Sequence, residues 1–85
     1  MKLKACVTAD IPFPDGLISD DEWKTYYSEG KIPEAASAFM DKASLHAWPA
    51  MDRAMKGWRR AGPGLEMHMM PKAANAFWFT ARYEV

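Results

Sequence analysis

Hydrophobic and polar residues alternate at the start of this chain and again close to its end. Over residues 2–9, lysine, cysteine and threonine alternate with small or aliphatic side chains, a period of two that is typical of a half-buried strand. Two prolines, at positions 12 and 14, and the Asp15-Gly16 turn signal follow this segment. Since proline cannot donate to a sheet ladder, we expect the first strand to end before these residues.

The same alternation returns in two segments of the second half. Residues 65–70 predict a second strand, residues 71–75 a hairpin loop, and residues 76–85 a third and longer strand rich in aromatic side chains. One face of the third strand has the composition of a core, and it carries Phe77, Phe79, Ala81, Tyr83 and Val85. The other face carries Trp78, Thr80, Arg82 and Glu84.

Helical spacing fills the middle of the chain. Ser19 and Glu22 have the spacing of a capping box, flanked by a hydrophobic staple of Ile18 and Trp23, and this first helix should stop at Gly30. Pro33 is suited to open a second helix. The core-facing side of this second helix is expected to carry Ala35, Ala36, Phe39, Ala43, His46 and Ala47. The opposite side is expected to carry Glu34, Ser37, Asp41 and Ser44.

A proline inside this helical pattern predicts a break and then a third helix. Pro49 interrupts the pattern, and residues 49–61 continue at helical spacing up to the stop signal Gly62-Pro63-Gly64. The resulting order β-α-α-α-β-β predicts an α+β fold in one domain over residues 1–85. We expect a three-stranded antiparallel sheet in the order 2-3-1, with two to three helices packed on one face.

Composition narrows the class of protein. The 85 residues have 49% hydrophobic content and a formal net charge of zero, and Cys6 is the single cysteine, so no disulfide forms within the chain. No apolar run approaches the roughly 20 residues that a bilayer-spanning helix needs. No signal peptide is visible at the N-terminus. These features predict a cytoplasmic protein without a membrane partner.

Candidate chemistry is sparse. Cys6, His46 and His68 lack the spacing of a metal site, and no nucleotide-binding or nucleophile motif is present. We therefore expect no metal, no cofactor and no catalytic residue. One enzymatic alternative stays open by fold analogy. It is a homodimer that encloses a pocket between its sheets, in which His68 or Tyr83 acts as the acid–base group.

A basic surface is the second candidate. Arg53, Lys56, Arg59 and Arg60 would form a ridge on one side of the third helix. Such a ridge suits either a solvated helix face or a weak nucleic-acid binder, although phosphate binders normally carry a larger positive excess. It is also expected to serve as a second surface for a protein partner.

The surplus of large side chains is the best functional lead. Four Trp, three Tyr, four Phe and seven Met exceed what one small core can hold, and these residue types are enriched at protein interfaces. The predicted contact patch on the uncovered sheet face contains His68, Met70, Trp78, Thr80 and Arg82. We expect a protein-binding module that acts as an inhibitor or adaptor. Its size and lack of catalytic motifs suit a phage or mobile-element accessory protein of the anti-CRISPR type, directed at host defence or nucleic-acid machinery.

Overall fold

The computed structural model describes residues 2–62 and 66–85. In chain order these residues form β1 (Lys4–Pro12), α1 (Asp20–Glu29), α2 (Glu34–Ala54), β2 (Arg59–Arg60), β3 (Glu66–Met69) and β4 (Ala76–Glu84). The α+β class and the antiparallel sheet agree with the prediction. The described residues contain four strands and two helices, so the expected count of three strands and two to three helices is close but not exact. Residues 63–65, which include part of the expected stop signal, lie outside the described residues.

Strand β4 holds the sheet together. It pairs antiparallel with β1 on one side, from Lys4 opposite Glu84 to Pro12 opposite Ala76. On its other side it pairs with β2 and then β3. Arg60 and Glu66 are six residues apart in the chain, but their partners on β4, Tyr83 and Thr80, are only three residues apart. The short strands β2 and β3 therefore form one interrupted edge.

Strand β1 runs through Pro12, which was expected to lie outside it, and so extends three residues past the alternating segment 2–9. Leu3 and Val85 exchange both main-chain hydrogen bonds, at 3.3 and 3.1 Å, so the odd-numbered residues of β1 direct their N–H and C=O groups toward β4. The even-numbered residues direct theirs toward the outer edge. Pro12 is even-numbered, and its missing N–H removes no bond to β4, which is why the strand tolerates it.

The core lies between the sheet and α2. Phe77, Phe79 and Tyr83 point to this side and are the largest fully buried side chains. The buried side of α2 carries Ala36, Met40, Ser44 and Met51. Ser44, expected on the outer side, is buried, and its hydroxyl donates to the carbonyl of Asp41 at 2.8 Å. His46 and Ala35, expected on the core side, are exposed.

Helix α1 forms as its sequence predicts. The Ser19 hydroxyl accepts from the Glu22 N–H at 3.1 Å, and the Glu22 carboxylate accepts from the Ser19 N–H at 2.9 Å, which completes the capping box. Ile18 and Trp23 are buried in the common core. Gly30 ends the helix with a φ of +71° and donates its N–H to Tyr26. These contacts fix the start and end of α1.

Helix α2 passes through Pro49 without a break and ends at Ala54. Pro49 leaves the carbonyl of Leu45 without its helical donor, but both residues are exposed, so water can replace that bond. The stop comes from Gly57, whose φ of +90° favours glycine and turns the chain into β2. The predicted helix over residues 49–61 is therefore wrong. Its first residues extend α2, and Arg59 and Arg60 belong to the sheet.

The molecule is elongated. Its principal extents are 49 × 21 × 20 Å and its radius of gyration is 14.8 Å, against about 12 Å for a compact domain of this length. It exposes 5856 Å², whereas a compact monomer of this mass exposes about 5,100 Å². Neither helix within the described ranges is long and apolar enough to cross a bilayer.

Candidate functional site

No helix among the described residues packs on one face of the sheet. Because side chains alternate along each strand, the burial of Phe77, Phe79 and Tyr83 under α2 directs their neighbours on β4 to the opposite side. We call this side the open face. Its members are Lys4, Cys6, Thr8 and Asp10 on β1, Arg59 on β2, Glu66 and His68 on β3, and Trp78, Thr80, Arg82 and Glu84 on β4.

A stacked pair of rings lies on the β3 side of the open face. His68 and Trp78 are directly opposite in the register, with ring centroids 4.2 Å apart and planes inclined by 23°. The His68 side chain remains 50% exposed, and its Nε2 lies 4.0 Å from a carboxylate oxygen of Glu66. The stack holds the indole in place without covering it, since Trp78 is only half-buried.

The charged residues of the open face are balanced in number and are spread along the length of β4. The Arg82 guanidinium donates to the Glu66 carboxylate at 2.9 Å, and Arg59 forms an ion pair with Glu84 at 3.1 Å. Lys4 and Asp10 add one charge of each sign. The open face therefore carries three cations and three carboxylates, and its net charge is zero with His68 neutral.

A shallow depression extends the open face away from the rings. It has a volume of about 480 Å³ and lies where β1, β4 and the residues after β2 meet. Its polar lining comes from Lys4, Cys6, Arg82 and Glu84. The Cys6 thiol is free and exposed there, directly opposite Arg82. The open face thus has a partly exposed aromatic pair and a concavity with a mixed polar and apolar lining.

Thr80 and Met70 complete the predicted contact patch. The Thr80 hydroxyl lies 3.2 Å from that of Thr8 across the β1–β4 pair. Met70 follows β3, is half-buried, and donates its N–H to Ala76 at 2.9 Å in the hairpin. Four of the five predicted patch residues therefore share the open face, and Met70 lies at its hairpin end.

The predicted basic ridge does not form as a single helix face. Arg53 lies in the last turn of α2 and Lys56 in the turn that follows, whereas Arg59 and Arg60 lie in β2. Adjacent residues of a strand point to opposite faces. Arg59 lies on the open face with Glu84, and Arg60 reaches back toward the helix side. Two of the four cations are thus paired with carboxylates.

On the helix side, four residues form a network that the sequence analysis missed. Asp52 of α2 accepts from Arg60 through both carboxylate oxygens, with 3.0 Å for the bond from Nε. The Tyr83 hydroxyl donates to the same carboxylate at 2.7 Å. The Arg60 guanidinium also lies 3.8 Å above the ring of Trp48. This network joins the end of α2 to β2 and β4.

The electrostatics of this network suit a structural role. Hydrogen bonds from Arg60 and then from Tyr83 hold the pKa of Asp52 below its ordinary value. Burial, followed by the bond to Asp52, raises the pKa of Tyr83 above its ordinary value. Tyr83 is also 1% exposed. A tyrosine that is harder to ionise and is closed off from substrate is poorly suited to acid–base catalysis at neutral pH.

No metal centre is visible in the parts of the chain that the structure describes, because no three His, Cys, Asp or Glu side chains lie close enough to share an ion. The predicted contact patch left out Glu66, which the register places on the open face, and it also left out Arg59 and Glu84, which had been assigned to the basic ridge and to the outer face of the last strand. Their signal was cross-strand pairing of opposite charges, which becomes visible only once the register is known. Comparison of the chain with models of known protein families, with curated proteins and with solved structures finds no significant match.

Proposed function

We propose that this protein is a small protein-binding module whose contact surface is the open face, and that it acts as an adaptor or inhibitor of a larger protein. The observation that carries the proposal is the stacked His68–Trp78 pair, set among charged side chains on a sheet face that no helix covers. Tryptophan and arginine are the residue types that most often dominate binding energy at interfaces.

The charge pattern favours a protein partner over a nucleic acid. A phosphate backbone is bound through an excess of unpaired lysine and arginine. On the open face, Arg82 is paired with Glu66 and Arg59 with Glu84. A partner with both signs of charge around an apolar recess for the indole matches this pattern, because complementary charges on a protein rim fix register and specificity.

The other two candidate functions have less support. The enzymatic alternative requires His68 or Tyr83 beside a carboxylate in a pocket. His68 lies on the exposed surface. Tyr83 is buried, and its hydroxyl is bound to Asp52. The nucleic-acid alternative required one basic helix face. The proposal that the target is a host-defence or nucleic-acid-processing complex is based on the chain's size and its lack of catalytic motifs.

The test compares two alanine variants on opposite sides of the molecule. Trp78→Ala removes the indole of the open face, and Leu45→Ala removes a side chain of α2 that is 73% exposed. A partner recovered by tagged capture from host lysate after nuclease treatment is purified, and its affinity for each variant is measured by calorimetry. Trp78→Ala should weaken binding by about 30-fold, or about 2 kcal/mol, while Leu45→Ala leaves it unchanged.

Two results would contradict the proposal. Equal affinity of the Trp78→Ala variant and the parent protein would show that the open face is not the contact surface. If the partner is no longer captured after nuclease treatment, the function is nucleic-acid binding instead. Circular dichroism and thermal unfolding of both variants verify that the fold is intact, so that a loss of affinity reports on the interface.

A further inference from the structure

The outer edge of β1 has main-chain groups that no neighbouring strand uses. The even-numbered residues Lys4, Cys6, Thr8 and Asp10 direct their N–H and C=O groups away from β4. No other strand among the described residues pairs with this edge. An unpaired edge on a nine-residue strand is a template for pairing with another chain.

We propose that β1 pairs antiparallel with β1 of a second copy, across a two-fold axis that passes through Val7. In this register Val7 lies opposite its own counterpart, Cys6 opposite the partner's Thr8, and Lys4 opposite the partner's Asp10. All these pairs join residues on the same face of the sheet, because the positions in each pair are both even or both odd. The outward main-chain groups from Lys4 to Asp10 then all meet partners.

Charge complementarity selects this register. Neither Lys4 nor Asp10 has an ion-pair partner among the residues that the structure describes. The two-fold axis creates two Lys4–Asp10 pairs, one at each end of the paired segment. The Cα atoms in each pair are about 5.5 Å apart. Opposite charges at directly facing positions stabilise a strand pair, whereas like charges destabilise it. An axis at Thr8 loses both Lys4–Asp10 pairs. An axis at Cys6 replaces them with Lys2–Asp10 pairs, but Lys2 precedes β1 and lies outside its register with β4.

An apolar contact on the helix side supports the same register. A groove of about 500 Å³ lies between β1 and α2, lined by Ile11, Phe39, Lys42, Ala43, His46 and Ala47. Leu3 is a large apolar side chain that is 53% exposed. An axis at Val7 sets the partner's Leu3 directly opposite Ile11, on the face where the groove opens. Each copy thus supplies a side chain of suitable chemistry to the groove of the other.

Pro12 limits the length of this pairing. Its position at the outer edge offers no N–H to a neighbouring chain. An axis at Thr8 would set Lys4 opposite the partner's Pro12 and lose a main-chain bond at each end. The axis at Val7 uses only residues 4–10 for main-chain pairing, so Pro12 is left outside the paired segment.

The chain exposes more surface than a compact monomer of its mass, enough in total for one interface of standard size. The excess over a compact monomer of the same mass is about 750 Å², from the observed 5856 Å². Each partner of a standard-size protein interface contributes about 800 Å². Pairing through the edge of β1 involves the β1 residues of the open face but leaves the His68–Trp78 pair, on β3 and β4, free. This association therefore does not depend on the function proposed above.

A charge exchange tests the proposal on the purified protein without any partner. The parent should show a dimer by sedimentation velocity at concentrations up to about 1 mM. Lys4→Glu and Asp10→Lys should each weaken the dimer by about tenfold or more, because each variant sets like charges opposite one another at both ends of the paired segment. The double variant should recover parental affinity. Glu34→Lys, a change at an exposed position at the start of α2, is the matched control and should have no effect.

Cysteine cross-linking tests the register itself. Thr8→Cys sets a new thiol opposite the partner's native Cys6, within the Cα separation that a disulfide requires. Mild oxidation should link this variant into a covalent dimer. The parent protein and the Thr8→Cys/Cys6→Ser variant should not be linked, because an axis at Val7 offsets their thiols along the strands.

Three results would overturn the proposal. One is a parent protein that stays monomeric throughout the concentration range. Another is a dimer that the charge variants do not weaken, or that the double variant does not restore. Efficient cross-linking of the parent through Cys6, or of the Thr8→Cys/Cys6→Ser variant, would place the axis elsewhere and contradict the register.

Discussion

The hydroxyl of Tyr83, on the central strand, donates a 2.7 Å hydrogen bond to the Asp52 carboxylate on α2. It is the polar link between the sheet and the end of the long helix, and Arg60 joins it from β2. A buried hydroxyl needs such a partner, because an unsatisfied polar group in a core is costly. The link predicts how stability depends on pH.

Asp52→Asn should lower the free energy of unfolding at neutral pH, and its deficit should shrink in acid. The pKa of Asp52 is held below its ordinary value of 3.8 in the folded protein. The unfolded chain therefore binds more protons as the pH falls, and the stabilisation by Asp52, present above about pH 4, is lost as the pH falls through the lowered pKa. Urea unfolding between pH 2.5 and 7 measures this difference.

A variant on the same helix provides the control for this experiment. Asp41→Asn changes an exposed carboxylate of α2 that has no ion-pair partner among the described residues. It should lower the free energy of unfolding less than Asp52→Asn does at neutral pH, because it removes no ion pair. Lys72 also lowers the pKa of Asp20, but this contribution is common to the parent and both variants. A deficit of Asp52→Asn that stays constant down to pH 2.5 would contradict the prediction.

The raised pKa of Tyr83 predicts a second change in the free energy of unfolding, at alkaline pH. Its pKa is raised above the ordinary value of 10.0, so above pH 10 the unfolded chain loses this proton before the folded protein does. The contribution of Tyr83 is complete below pH 10 and is lost as the pH rises from there through the raised pKa. Thermal unfolding of the parent and Tyr83→Phe should show the parent's advantage decline in this range. A parallel pH dependence of the two proteins would argue against this assignment.

Gly57→Ala should destabilise the protein by about 1–2 kcal/mol. Gly57 has a φ of +90°, and no heavy atom lies within 4 Å of the position that a Cβ would take. The cost therefore comes from the backbone alone. Gly57→Asn is the control and should cost less, because asparagine tolerates positive φ better. Chemical denaturation measures both, and equal stability of the alanine variant and the parent would refute this explanation of the helix end.

Pro49→Ala should stabilise the protein by about 1 kcal/mol or more, since it restores a helical hydrogen bond to the carbonyl of Leu45. The gain is reduced because proline also restricts the unfolded chain. The Pro49 side is exposed, so no core contact is lost. A lower denaturation midpoint for the variant would indicate that the proline has a favourable role in α2. The helical signal in circular dichroism should be retained.

His68→Ala should weaken partner binding less than Trp78→Ala does. The effect of His68→Ala should also depend on whether Trp78 is present. The imidazole stacks on the indole, so its removal frees the indole to reorient before binding. A double-mutant cycle on partner affinity should give a coupling of about 0.5–1.5 kcal/mol between the two positions. Additive effects would mean that each residue contacts the partner independently.

The local signals of the chain predicted its local structure well. The capping box at Ser19 and Glu22, the stop at Gly30 and the buried face of β4 all depend on residues close in sequence. The central position of the last strand was also predicted, from its length and aromatic content. These features follow from backbone geometry and from the period of the side chains, which a sequence displays directly.

The errors arose where a local signal depends on its surroundings. Pro12 was expected to end β1, but it is tolerated because the outer edge of that strand needs no N–H. Pro49 was expected to break α2, but water can replace its lost bond on an exposed side. Gly57 was overlooked as a helix stop because the pattern around it continues at helical spacing.

The candidate site was predictable only in part. His68, Trp78, Thr80 and Arg82 were assigned to one sheet face from alternation alone, and the structure places them on the open face. The pairing of Arg82 with Glu66, and of Arg60 with Asp52, depends on register and on the turn at Gly57. Such pairs join residues far apart along the chain, and alternation carries no information about them.

Because β1, β2 and β3 pair only with β4 in the described part of the chain, this sheet cannot form before β4 has been synthesised. Lys4 and Glu84 are neighbours in the sheet although almost the whole described chain separates them. Closing a loop of this length costs entropy before any contact repays it, so folding should be slow for a domain of this size. The helices can form earlier, but on a ribosome the strands would wait unpaired, exposed to chaperones and to other nascent chains. A partly synthesised chain would therefore contain helices without a sheet, and folding should be completed in one late, cooperative step.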